Sequence, residues 1–167
     1  MAQNPLSSDK LTLLFKTSPS IPNRIISREG SSLEFKEAFN FGGMAQYFKT
    51  MAAFANNCGG YIIFGIGDKP RDLIGLKDKS LTQFESMKVE DFTKNLLDYF
   101  SPEIRWDHCT FEFRGKSYGI IYTFPLSRKP CICKKQYDAQ NPKYSLKESD
   151  IYYRYGGRSE KIRYPEL

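Results

Sequence analysis

The chemistry this sequence offers first is carried by acids. Glu29 and Glu34 stand five positions apart in the stretch REGSSLEFKEAF, with one glycine and two serines between them. A third acid, Asp68, follows the apolar run GYIIFGIG. An odd spacing puts two residues of one straight strand on opposite faces. Glu29 and Glu34 therefore meet only if the chain folds back at Gly30-Ser31-Ser32. Two readings are open. In one, Glu34 pairs with Lys36 at the surface and Asp68 merely starts a turn. In the other, the three carboxylates converge at a sheet end as an oxygen-only site suited to Mg²⁺ or Mn²⁺. Such an ion lowers the pKa of a bound water or stabilises charge on a phosphate in transfer.

Other chemistries have less to stand on. His108 is the single histidine, so any Ser–His or Cys–His nucleophile would have to use it, and no neighbour stands out as its partner. The GIG at Gly65–Gly67 lacks the third glycine and the following helix of a nucleotide loop. Four cysteines in 167 residues do not make a disulfide framework. Cys131 and Cys133 form a C-x-C, and His108 and Cys109 are adjacent, which together count as four potential zinc ligands. Their spacing is not that of a finger or ribbon. Neighbours on a strand point to opposite faces, so buried thiols with a surface histidine stand as the alternative to a structural zinc.

The elements that must position these groups follow from periodicity. SLEFK alternates, sending Leu33 and Phe35 into a core and Glu34 and Lys36 outward. Met44, Tyr47, Phe48, Met51, Ala52 and Ala55 recur at helical spacing, with Asn56, Asn57 and Gly59 to end the helix. GYIIFGIG reads as a buried central strand, and LIGL as a short return strand after the DKPRD turn. A second amphipathic helix runs from about Val89 to Phe100, stopped by Ser101-Pro102. IRWDHCTFEFRGKSYGIIYTFPL reads as a hairpin about Arg114-Gly115-Lys116. CICKK is a strand, and IYYRYGGRSEKI a strand, a Gly-Gly turn and a tail strand. The class is α+β, one mixed, mostly antiparallel sheet with helices packed on it. Residues 1–24 read as an appendage, a short helix capped by Ser7 or Ser8 and then a Pro-containing linker. Residues 25–167 read as the domain.

Charge is unevenly spread. Residues 1–113 hold 13 Lys/Arg and 14 Asp/Glu, whereas residues 114–167 hold 12 and 5, so the net charge of +6 comes from the last third. That third is also rich in tyrosine, and basic residues interleaved with aromatics suit a polyanion that offers bases to stack on. The candidate phosphate contacts are Arg128, Lys129, Lys134, Lys135, Arg154, Arg158, Lys161 and Arg163. A solvated sheet surface with tyrosines in cross-strand pairs is the plain alternative. No apolar run approaches the ~20 residues needed to cross a bilayer. The first residues lack the basic start of a signal peptide, so a cytoplasmic location is expected, with no membrane partner.

REGSSLEFKEAF, MAAFANNCGGYIIFGIGDKPRDLIGL, KPCIC and IYYRYGGRSEKI, in this order, resemble the AlbA-type domain of the Schlafen family over about residues 25–163. The family includes endoribonucleases that cleave tRNA and rRNA with a divalent metal, and relatives described only as DNA-binding. The resemblance implies catalytic, metal-holding acids at Glu29, Glu34 and Asp68, with Mg²⁺ or Mn²⁺ as cofactor. Lys36, on the face of Glu34, would touch the scissile phosphate or balance the carboxylates. It also implies a zinc site in the larger members, with Cys131 and Cys133 at the matching place and His108-Cys109 replacing a His-x-Cys. RNA is the favoured partner over DNA, although no side-chain pattern here reports a 2′-hydroxyl. The large members embrace RNA between two similar lobes. This chain has length for one, so a homodimer is expected to rebuild the groove. The expected function is metal-dependent cleavage of structured RNA such as tRNA. The alternatives are a nucleic-acid-binding module of the same fold without catalysis, and an assembly protein whose basic face meets an acidic partner.

Overall fold

The computed structural model describes residues 3–167. Its centre is a four-stranded sheet in the order β1 (Leu33–Lys36), β2 (Gly60–Phe64), β5 (Lys116–Thr123), β4 (Trp106–Phe113). β1 and β2 run parallel, and the other two pairings are antiparallel. The parallel pair needs a crossover, which is the helix α2 (Met44–Ala55). The β4–β5 hairpin turns at Arg114 and Gly115, both at positive φ (50° and 77°), as a tight primed turn requires.

The period of two sorts each strand between two cores. Ile62 and Phe64 of β2 join Met51, Ala52 and Phe54 of α2 on one face. Two further helices, α3 (Asp78–Glu85) and α4 (Val89–Tyr99), cover that face with Phe84, Phe92 and Leu96. Ile63 of β2 points the other way, into a second core with Leu33 and Phe35 of β1. The sheet is thus buried on both sides. Because Leu33 and Phe35 take the second face, Glu34 must point toward the helices rather than into water. The remaining strands are short pairs, β3 (Phe100–Ser101) with β6 (Ile132–Cys133) and β7 (Tyr152–Tyr155) with β8 (Arg158–Lys161). α2 packs against β7 and β8, which brings the basic C-terminal third beside β1.

The α+β class, the mixed sheet, α2, α4 and the β4–β5 hairpin are as the sequence predicts. The N-terminal stretch is not an appendage. Its helix α1 (Ser8–Leu14) is capped by Ser7, and Leu11 and Phe15 are fully buried in the second core. Phe15 stands 5.1, 5.3 and 4.9 Å from the rings of Phe111, Phe113 and Tyr118. A sheet apolar on both faces needs a second cover, and these residues supply it. α3 escapes notice in the sequence because Phe84 is its single buried residue. LIGL makes one bridge, Leu73 to Ile66, instead of a strand. Among the described residues, no helix is long and apolar enough to cross a membrane.

Phe15→Ala is expected to cost about 3–5 kcal/mol of stability in chemical denaturation, the range for a fully buried Phe. A cost near zero would return residues 1–24 to the status of an appendage.

Candidate functional site

The bend between the first two acids is a tight loop. The amide of Gly30 donates to the carbonyl of Leu33 at 3.0 Å, and that of Leu33 to the carbonyl of Gly30 at 3.5 Å. The reversal carries Glu29 alongside β1, where its Oε1 accepts the amide N–H of Phe35 at 2.9 Å. There its carboxyl also meets that of Glu34. Burial, the hydrogen bond to Glu34 and the charge of Glu34 push Glu29 from its ordinary 4.5 up to about 7, against the opposing pull of the Phe35 amide and Arg154. The residue as a whole keeps much of its surface in solvent, but its carboxyl is engaged by the Phe35 amide and by Glu34. The turn after β7 closes over it. A Cβ on Gly157 would stand 3.3 Å from Cβ of Glu29, so the approach favours glycine.

Glu34 is held from the other side by Arg154. This guanidinium, at the centre of β7, has no exposed surface, and its Nη1 donates to Glu34 Oε2 at 2.6 Å. It also donates to Ser159 Oγ at 3.0 Å, to the Gly30 carbonyl at 2.8 Å and to the Leu33 carbonyl at 3.0 Å. Its plane lies 5.1 Å from the ring of Phe54. Arg154 is therefore not the surface phosphate contact expected from its place in the basic third. Glu34, expected to face outward, keeps only 11% of its side-chain surface exposed, at the edge of a cleft. A buried cation needs a paired anion and further acceptors, and this one has both.

Two clefts flank the acid pair. The first, of 350 Å³, is lined by Glu34, Lys36, Lys49, Lys143, Tyr144, Arg158, Glu160 and Lys161, among others. Cations outnumber acids in that lining. Lys36 lies 5.8 Å over the ring of Tyr144. Lys49 donates to the Lys143 carbonyl at 2.9 Å, and burial lowers its pKa. The second cleft, of 540 Å³, is lined by Glu29 and Asp68 together with Arg28, Lys69 and Arg71. Lys36 thus shares the cleft of Glu34 as expected, but Asp68 shares only that of Glu29.

The three acids do not converge. In the parallel register Glu34 lies opposite Ile62. Asp68 comes only after Phe64, Gly65, Ile66 and Gly67, where the chain turns back through the Gly67 amide to the Asp72 carbonyl at 2.9 Å. Among the described residues, no group of three or more His, Cys, Asp or Glu is placed to hold a metal ion together. The Glu29–Glu34 pair by itself offers hard oxygen donors of the kind a divalent cation takes, with one oxygen of each already fixed by the Phe35 amide and by Arg154. Asp68 would complete the set only from across the second cleft.

The zinc candidates are likewise apart. Cys109 packs against the second core, whereas Cys131 and Cys133 lie in the first, on the opposite face of the sheet. Burial pushes Cys131 up to about 12 and Cys109 up to about 11. Their thiols are occupied locally, Cys131 donating to the Pro102 carbonyl at 3.7 Å and Cys133 to the Lys135 carbonyl at 3.2 Å. His108 lies against the rings of Phe84 and Trp106, at 6.0 and 5.3 Å, where burial lowers its pKa. Alternation along β4 sends His108 and Cys109 to opposite faces.

Of the eight basic residues singled out by sequence, Arg158 and Lys161 line the first cleft. Arg163 lies over Tyr155 at 4.3 Å. Lys135 lies over Tyr99 at 5.3 Å, with Lys134 exposed beside it. Arg128 is exposed, and Lys129 bonds the Asn57 carbonyl at 2.5 Å, beyond the end of α2. Lys49 and Lys143 were not anticipated. Lys49 had a signal, being the one charged residue of the helix MAQYFKTMAAFA.

The profile of the family described as Schlafen, AlbA_2 matches residues 29–163, from Glu29 to Arg163. The chain belongs to this family. The chain is also similar to an uncharacterized ATP-binding protein of Ureaplasma parvum serovar 3, UU034, at 42% identity over 154 residues, 84% of this chain. The chain spans 41% of the length of that relative. The DIP2311 protein of Corynebacterium diphtheriae superposes with a TM-score of 0.57 over 92% of this chain and 26% of its own, at 15% identity. At that identity the likeness speaks for the fold alone.

Removing Glu34 from this Schlafen-type domain leaves Arg154 buried without its anion. Glu34→Ala is expected to cost about 3–5 kcal/mol in urea denaturation, and a neutral result would refute the pairing. Glu29 acts with the opposite sign. Its folded pKa, about 7, lies above the ordinary 4.5, so the folded state holds the proton more tightly. That stabilisation is complete below about pH 4.5 and lost as pH rises through about 7. Glu29→Gln should flatten this decline in melting temperature. An identical pH profile in wild type and variant would contradict the assignment.

Proposed function

We propose that this chain is a metal-dependent endoribonuclease domain, acting on structured RNA such as tRNA. The observation that carries the reading is the carboxyl–carboxyl contact of Glu29 and Glu34 at the wall of a cleft lined by lysines, arginine and a tyrosine. A basic cleft alone serves binding. Two acids placed against each other beside it repel phosphate in the ground state, and they have a use there if they hold a cation. When bound, a divalent ion supplies charge stabilisation at the phosphodiester and a more acidic water. The chain's own residues do the rest. Arg154 fixes the rotamer of Glu34. The Phe35 amide and the Gly157 approach fix that of Glu29. Lys36, in the same cleft as Glu34, balances charge on the phosphate. Tyr144 offers a ring on which a base can stack, a contact worth about 1–3 kcal/mol.

One observation favours a second reading. Arg154 already neutralises Glu34, and Asp68 stands apart, as suits a nucleic-acid-binding module without catalysis. A denaturing gel of total tRNA incubated with and without Mn²⁺ decides between them. Cleavage that requires Mn²⁺ is expected. Glu29→Gln should slow it by about 100-fold or more while RNA affinity is kept or raised. Intact tRNA with every divalent ion tried would leave the binding module.

A further inference from the structure

The second cleft has no part in that reading beyond Glu29 and Asp68, yet it carries its own cations. Arg24 is committed to Asp72 at 3.4 Å. Arg28, Lys69 and Arg71 also line the cleft. Among the described residues, none of these three makes an ion pair. Three acids, Glu29, Glu37 and Asp68, share the wall. Glu29 is drawn toward Glu34 on the ridge, so on this side the three cations face two acids, Glu37 and Asp68.

The two clefts adjoin. Gly157 lines the first and Glu29 the second, and they are close enough that a Cβ on Gly157 would lie 3.3 Å from that of Glu29. The ridge between them is the Glu29–Glu34 pair. A polyanion seated in the first cleft therefore meets the acid pair as it leaves and a second set of cations beyond it. The ring of Tyr144 needs an unpaired base to stack on, which favours a single strand over a duplex.

We infer that a single strand of nucleic acid crosses the Glu29–Glu34 ridge, with phosphates held by Lys36 and Lys143 on the Tyr144 side and by Arg28, Lys69 and Arg71 on the far side. This deepens the nucleic-acid reading above and rests on it. It also places the far-side contacts in the part of the chain whose charges balance in sequence.

The test is fluorescence anisotropy with labelled single-stranded oligouridylates of about 3 and about 12 nucleotides, in EDTA and over a range of salt. For the longer strand, the triple variant Arg28→Gln, Lys69→Gln, Arg71→Gln should bind at least about tenfold more weakly, with a log–log salt slope smaller by about 2, near 0.7 for each lost contact. The shorter strand fills one cleft and should bind wild type and variant alike. Lys94→Ala, on the exposed face of α4, is the control, and thermal melts verify that all variants fold. Unchanged affinity and slope for the longer strand, while wild type binds it, would overturn the crossing path. Equal weakening of both strands would overturn it too, as a loss of general charge. If wild type binds neither strand, the nucleic-acid reading falls and the path with it. Binding is read without metal, so a chain that binds along this path but cleaves nothing would still support the crossing.

Discussion

A guanidinium stripped of water must direct its N–H donors at acceptors or the fold that buries it will not persist. Arg154 directs its donors at one carboxylate, one hydroxyl and two backbone carbonyls, all within 3.0 Å. Both carbonyls belong to the bend between Glu29 and Glu34. The residue thus fastens β7 to β1 and sets the loop that carries the first acid. Asn56, at the end of α2, does the same for neighbouring backbone. Its Oδ1 accepts the Cys131 amide at 2.6 Å, and its Nδ2 donates to the carbonyls of Cys131 and Tyr152 at 3.1 and 2.8 Å. The β7–β8 pair, which lies outside the central sheet, is fastened to β1 and to the end of α2 through these two side chains.

The functional geometry follows from that fastening. Leu33 and Phe35 claim the second core, so Glu34 must face α2 and β7, where Arg154 is the cation that makes a buried carboxylate tenable. Glu29, brought back by the loop, finds one carboxyl oxygen used by the Phe35 amide and a like charge beside it. Glu29 then holds its proton to a pH where ordinary carboxylates have lost theirs. Basic residues from β1, α2, the loop before Tyr144 and β8 surround the pair on one side, and those after β2 on the other. The acids sit on a ridge inside a positive surface, the arrangement expected where a cation and a phosphate are to meet.

Much of the fold was legible because local signals agreed with the tertiary outcome. The helical spacing from Met44 to Ala55, the run YIIF and the alternation in LEFK each describe a surface that is in fact buried. The bend that joins Glu29 to Glu34 was legible too, from an odd spacing and a glycine. Partnership was not. Nothing local distinguishes Arg154 from Arg158 four residues on, yet alternation along the hairpin buries the first and exposes the second. The N-terminal helix looked dispensable because its apolar residues are few, and its necessity is a property of the sheet it covers. Charge summed along the chain pointed to the last third. Lys36, Lys49, Lys69 and Arg71 gather beside the acids by folding, and no running sum could show it. Asp68 failed to join the pair because register along a parallel strand, which sequence does not state, sets where its loop begins.

The central claim is that the Glu29–Glu34 pair is a cation site on the nucleic-acid path. The most direct measurement is an ¹H–¹⁵N spectrum of the protein titrated with substoichiometric Mn²⁺, whose unpaired electrons broaden the signals of nearby amides. The account predicts that the amides of Gly30, Phe35 and Gly157 broaden first, and that Glu29→Gln abolishes the effect. Broadening centred elsewhere, or unchanged in that variant, would contradict it.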